Sequence, residues 1–302
     1  MPDSVWPFQL ASLDVHGRRM VYTDTGGDGP VLLFCHAGLW SLLWRDVIAD
    51  LAHHYRCITF DPPGCGLSER LPRGEQSLAT VAHAVGALID ELDLDAVTLV
   101  LHDLGGLGAL AAAHTRLDRI AGLAAVNTFG WKPRGVMLPL ALRFFGSAAM
   151  REFDAFTGVL PLGSSTRFGV GRHMDRATRR AWRAGLRDRS ARRATHRLFR
   201  DAASNGAVHD AAEAALTALA GRPTVTIFGR FGDYFGFRRQ WRRHHPHTVQ
   251  HTVPGGFHFP MCDNPSLVAQ QLHDWMTAGP DAQPARRPTT PEPPSQRRTR
   301  VG

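Results

Sequence analysis

Residues 97–106 read VTLVLHDLGG. Five apolar or β-branched residues in a row suit a strand buried on both faces. His102 and Asp103 end that run, and Gly105-Gly106 opens a segment with helical spacing. A strand that turns sharply into a helix is the geometry of a nucleophile elbow, which lifts one side chain above the sheet. Glycines after the raised residue let the helix backbone pack close to the strand. The helix N-terminus supplies N–H groups for developing negative charge. The raised residue is Asp103 rather than serine, and Leu101 stands where the first glycine of G-x-S-x-G would be, so the strand–turn–helix context carries the reading. A carboxylate is already ionised at neutral pH and attacks without a base. Its natural target is a saturated carbon bearing a leaving group. The resulting ester then needs water and a general base. The competing role for Asp103 is a helix N-cap.

Outward from this stretch, strand and helix patterns alternate. Residues 31–35 (VLLFC), 56–61 (RCITFD), 96–101 (AVTLVL) and 119–126 (RIAGLAAV) read as strands, with helical spacing over 76–92 and 104–115. Such alternation predicts an α/β fold with a mostly parallel central sheet flanked by helices. Phe8–Leu13 and Arg19–Asp24 would extend it in antiparallel fashion. From Trp131 to Ala220 no strand pattern occurs, and strands return at 224–229 and near 249–253 before a last helix at 264–276. The expected organisation is a first core segment (1–130), an inserted helical lid (131–220), a second core segment (221–278) and a disordered Pro/Arg-rich tail (279–302). The lid residues Met137, Leu140, Phe144, Phe145 and Phe153 suggest a small, mostly apolar organic substrate, used with water.

Chain order selects the partners of Asp103. His258, in PGGFHFPMCDNP after the last strand, is the candidate base. Asp233, in FGRFGDYFG, is the candidate acid that would orient the imidazole. Asp263 is its rival and is better placed to cap the last helix. The backbone N–H groups of Leu104 and of Gly38, in His36-Ala37-Gly38, are the expected oxyanion donors. His36, His102, Trp40 and Trp131 are candidates for the pocket wall.

Composition bounds the rest. The net charge of +8 is almost all arginine, with Lys132 the single lysine. The cluster Arg172, Arg176, Arg179, Arg180 and Arg183 reads as a solvated helix face, since no nucleic-acid motif accompanies it, and neither a nucleic acid nor a membrane is the expected partner. No apolar run reaches the ~20 residues of a membrane span, and the N-terminus lacks a secretory pattern. Cys35, Cys57, Cys65 and Cys262 match no metal-ligand or disulfide spacing. These features suggest a cytoplasmic protein with no metal and no organic cofactor.

Taken together, HAG followed by LLWRD, then RCITFDPPGCGLS, VLHDLGG, VNTFGW and GGFHFPMCDNP, resemble the haloalkane dehalogenase-like branch of the α/β hydrolases. The resemblance covers roughly residues 20–278. It implies Asp103 as nucleophile, His258 as base and Asp233 as acid, without cofactor. Two departures concern the halide. The family's Trp after the nucleophile is Leu104 here, and its Asn two positions after the His is Gly38, and neither side chain donates a hydrogen bond. Trp40, Trp44 or Trp131 could substitute. Epoxide hydrolysis by the same Asp–His–Asp set is the first alternative, although none of Tyr22, Tyr55 and Tyr234 lies in the lid. A hydrolase-fold binding protein with impaired chemistry is the second.

Overall fold

The computed structural model describes residues 2–72 and 74–278; the expected tail lies outside them. Eight strands form one sheet: β1 (Ala11–Val15), β2 (Arg18–Asp24), β3 (Val31–Cys35), β4 (Arg56–Asp61), β5 (Val97–Asp103), β6 (Ile120–Thr128), β7 (Thr224–Gly229) and β8 (Val249–Val253). Their order is β1-β2-β4-β3-β5-β6-β7-β8, antiparallel at β1–β2 and β2–β4 and parallel elsewhere. The helices of the first half are α1 (Arg45–Leu51), α2 (Leu78–Glu91) and α3 (Gly105–Ala113). Between β6 and β7 run α4 (Met137–Phe145), α5 (Ala148–Thr157), α6 (Val159–Ser164), α7 (Arg176–Gly185), α8 (Arg189–Ser204) and α9 (Gly206–Ala218), with no strand among them. The chain ends its described part with α10 (Phe237–His244), α11 (Pro260–Asp263) and α12 (Pro265–Thr277).

Period-two alternation explains why both faces of the sheet are apolar. Leu33, Leu99, Leu101 and Ala125 pack with α2, α3 and α9 in one cluster. Leu32, Phe34, Val100 and Val126 point the other way and pack with α1 and α12. Parallel strands with helices on both faces leave their carboxyl ends as the open edge where loops gather. The β3, β5, β7 and β8 ends therefore carry Gly38, Asp103, Asp233 and His258 to one rim. The helices between β6 and β7 divide in role. α9 joins the core beside α3, whereas α4 and α5 pack chiefly on α8.

Candidate active site

Asp103 sits at the C-terminal end of β5 with φ 47°, a left-handed conformation that costs a non-glycine residue roughly 1–2 kcal/mol. The Thr128 hydroxyl donates to the Asp103 carbonyl at 2.6 Å and so anchors the turn from the end of β6. Gly105 is required next: a Cβ there would collide with the His36 backbone, so only glycine lets α3 start against the loop after β3. No side chain caps α3, which leaves the Asp103 carboxylate outside the capping role.

The carboxylate opens into a cavity of about 400 Å³. Its floor is Asp103, Leu104, Gly38 and His258, and its walls are mostly apolar, including Phe145, Met150, Leu160, Phe168 and Phe199. His258 Nε2 lies 3.7 Å from Asp103 Oδ2. Burial raises the Asp103 carboxyl, but the His258 imidazole, the neighbouring His102 and the Leu104 N–H outweigh it and hold the group below the usual carboxylate range. The Asp103 carboxylate is therefore ionised at neutral pH.

The structure thus brings Asp103 and His258 together and treats the other expected residues differently. Asp233 Oδ1 accepts the Phe237 N–H at 2.6 Å and its Oδ2 the Arg238 N–H at 3.4 Å, so its carboxylate holds the first turn of α10. Among the described residues no carboxylate other than Asp103 pairs with His258. Asp263 does not cap α12; Asn264 does, accepting from Leu267 N–H. The buried Asp263 instead accepts the Phe257 N–H at 2.6 Å, beside His258, and pairs with Arg172 at 3.3 Å. Of the two expected oxyanion donors, the Leu104 N–H helps hold the Asp103 carboxyl low, whereas the Gly38 N–H, turned by φ 76°, acts on the Cys65 thiol.

None of the four pocket-wall candidates lines the cavity. Trp131 is buried between Phe237, Trp241 and a stacked His244, where its ring is worth more as core. Trp40 is buried beside Trp182, and its indole N–H has no partner. His102 lies beneath the floor, its Nδ1 donating to the Val126 carbonyl at 2.9 Å, and burial pushes its pKa down to about 4. His36 is buried with neither ring nitrogen hydrogen-bonded and its Nε2 3.7 Å from Asp61 Oδ1, and burial, then the nearby His102, push it down to about 3.

Two further positions bear on the site, and sequence reasoning missed the second of them, Asn127. His196 lines the cavity, but both its nitrogens are engaged, by the Phe145 carbonyl at 2.6 Å and Asp154 Oδ2 at 3.0 Å. Asn127 has φ 44°; its Oδ1 accepts the Gly229 N–H at 3.0 Å and its Nδ2 donates to the Phe257 carbonyl at 3.2 Å, tying β6, β7 and the His258 segment together. An asparagine at a strand end is the available signal, because Asn tolerates the left-handed region. Among the described residues no group of three His, Cys, Asp or Glu is arranged to hold a metal.

The α/β hydrolase fold family matches residues 30–278. A Mycobacterium tuberculosis protein named haloalkane dehalogenase 2 is 36% identical over 132 residues, 43% of this chain and 46% of that protein, so the match spans about half of the relative. A Shewanella oneidensis protein named cis-3-alkyl-4-alkyloxetan-2-one decarboxylase is 28% identical over 294 residues, 92% of this chain and 91% of its own. Among solved structures, haloalkane dehalogenase DbeA from Bradyrhizobium elkani superposes with TM-score 0.76 at 24% identity, covering 90% of this chain and 98% of the other. The epoxide hydrolase CorEH superposes at 0.74 with 18% identity, covering 89% and 99%.

Proposed function

We propose that this chain, which belongs to the α/β-hydrolase fold family, uses Asp103 as a nucleophile on a saturated carbon of an apolar molecule. The observation that carries the reading is an ionised carboxylate raised over an apolar cavity with His258 Nε2 3.7 Å from it. Asp103 displaces the leaving group and forms an alkyl ester. His258 then takes a proton from water as the water attacks the ester carbonyl, and the Leu104 N–H stabilises the oxyanion. Collapse releases the alcohol and restores Asp103. The haloalkane dehalogenase-like form of this reaction lacks one support, because Leu104 and Gly38 offer no side-chain donor to a departing halide.

A second reading follows from that gap: a 3,4-dialkyl oxetan-2-one. Attack by Asp103 on the ring carbon that bears the alkyl group and the ring oxygen breaks the C–O bond and frees a tethered carboxylate. Loss of CO2 from that carboxylate forms the C=C bond and expels Asp103. Strain drives the opening, the leaving group is a stable carboxylate, and no water or base is consumed. The missing side-chain donors at Leu104 and Gly38, the lack among the described residues of a carboxylate other than Asp103 paired with His258, and the near full-length similarity to the Shewanella protein all favour it. An epoxide is less well supported, since none of Tyr22, Tyr55 and Tyr234 lines the cavity.

The test is intact-protein mass spectrometry of His258→Phe with haloalkanes, epoxides and dialkyl oxetanones. An alkyl or hydroxyalkyl adduct on the Asp103 peptide supports the ester mechanism with hydrolysis. Continued release of CO2 and alkene by His258→Phe supports the lactone reading. Wild-type turnover of any of these that survives intact in Asp103→Asn refutes both.

A further inference from the structure

We infer that the helices over the cavity form a docking face for an anionic phospholipid surface. Three observations meet there. First, ten of the thirteen exposed large hydrophobic side chains among the described residues fall between Val136 and Phe168. On α4 they are Met137, Leu140 and Phe144, spaced to share one helix face, and α5 adds Phe153 and Phe156. So dense a run of exposed large apolar side chains is uncommon on a protein that stays in water.

Second, the cluster is set in positive charge. Residues 131–220 contain sixteen Lys and Arg against seven Asp and Glu, so this segment alone exceeds the whole chain's net +8. Two arginines sit directly on the exposed rings. Arg189 lies 4.5 Å over Phe156, and Arg167 lies 5.0 Å over Phe168. Apolar side chains flanked by arginine match the layering of a bilayer interface, with acyl chains below and phosphates above. Among the described residues no helix is long and apolar enough to cross a membrane, so the contact is peripheral.

Third, the face is continuous with the cavity mouth. Phe145, Val159 and Phe168 line the cavity and are 42%, 40% and 59% exposed. A molecule with alkyl chains would pass from lipid to Asp103 without crossing water. Charge also selects the occupant. A second copy would bring an equally basic face, and residues 279–302 carry five arginines against Asp281 and Glu292. An anionic surface is complementary where both of these repel.

The test is co-sedimentation of the full chain with vesicles of phosphatidylcholine alone or with about one third phosphatidylglycerol. The expected result is binding at least about tenfold tighter to the anionic vesicles and weakened by salt. Leu140→Asp combined with Phe144→Asp, and separately Arg167→Glu combined with Arg189→Glu, should each reduce it at least about fivefold; all four positions are exposed, so the fold is spared. Equal binding to neutral vesicles, undiminished binding by either double variant, or no vesicle binding together with a concentration-dependent dimer would overturn the inference.

Discussion

Buried neutral histidines make this fold acid-sensitive well above the pH at which its carboxylates titrate. Burial pushes His36 from 6.5 down to about 3 and His102 down to about 4, with His258 adding to the latter. His245, buried between Thr224 and the Leu216 carbonyl, is also pushed down to about 4. A group with a depressed folded pKa contributes stability that is complete above its unfolded value of 6.5. That contribution is lost progressively as pH falls from 6.5 toward the folded value. Between about pH 7.5 and about pH 5, each histidine forfeits roughly 1.5 pKa units, or about 2 kcal/mol, so the three together cost about 6 kcal/mol. For a chain of this length that is a fall in Tm of about 10 °C. Asp61, raised by burial, works in the opposite sense at the acid end. Differential scanning fluorimetry across this range is the assay, with His36→Leu as the control. His36 makes no hydrogen bond, so the variant should match or exceed wild type at pH 7.5 and lose about a third of the slope. A flat Tm, or an unchanged slope in His36→Leu, would refute the account.

Three further outcomes follow. Gly105→Ala places a methyl group into the His36 backbone, so it should lower stability by about 1–3 kcal/mol; a loop shift of about 1 Å should also slow ester formation about 100-fold in rapid quench. Asp233→Asn should lower Tm by only a few degrees, as loss of a helix-turn ligand costs about 1 kcal/mol, and change ester formation less than about threefold; a loss of about 10³-fold or more in turnover would restore Asp233 as the acid behind His258. Cys35, Cys57 and Cys65 are buried, and burial pushes the Cys57 and Cys65 thiols up to about 12, so iodoacetamide at mild alkaline pH should leave all three unmodified until denaturant is added.

The core was readable because its signals are local. VLLFC and RCITFD are runs that only a doubly covered strand uses, and β3, β4 and β7 match their expected limits to the residue. β5 and β6 extend two residues further, through Asp103 and Thr128, because pairing with neighbours carries the ladder past the apolar run. Asp103 and His258 were legible from their position at strand ends. The remainder of the site depends on side-chain direction, which sequence spacing does not encode. Asp233 stands in the right loop, yet its carboxylate turns to the α10 amides four and five residues on. Composition treats the lid phenylalanines alike, but helices packed edge-on expose one face. Phe145 lines the cavity whereas Phe144 and Phe153 are 58% and 55% exposed.

The Asn127 side chain has a mechanical consequence. It grips the end of β7 and the segment carrying His258 at the last point before the chain departs toward α4. Helices α4 and α5, which pack chiefly on α8, hang beyond that clamp. A displacement of those helices would be absorbed downstream of Asn127, leaving the spacing of His258 and Asp103 unaltered. The segment is in this sense a cassette. It can be exchanged, shortened or reshaped to admit a different guest, while Asp103 and His258 keep their alignment.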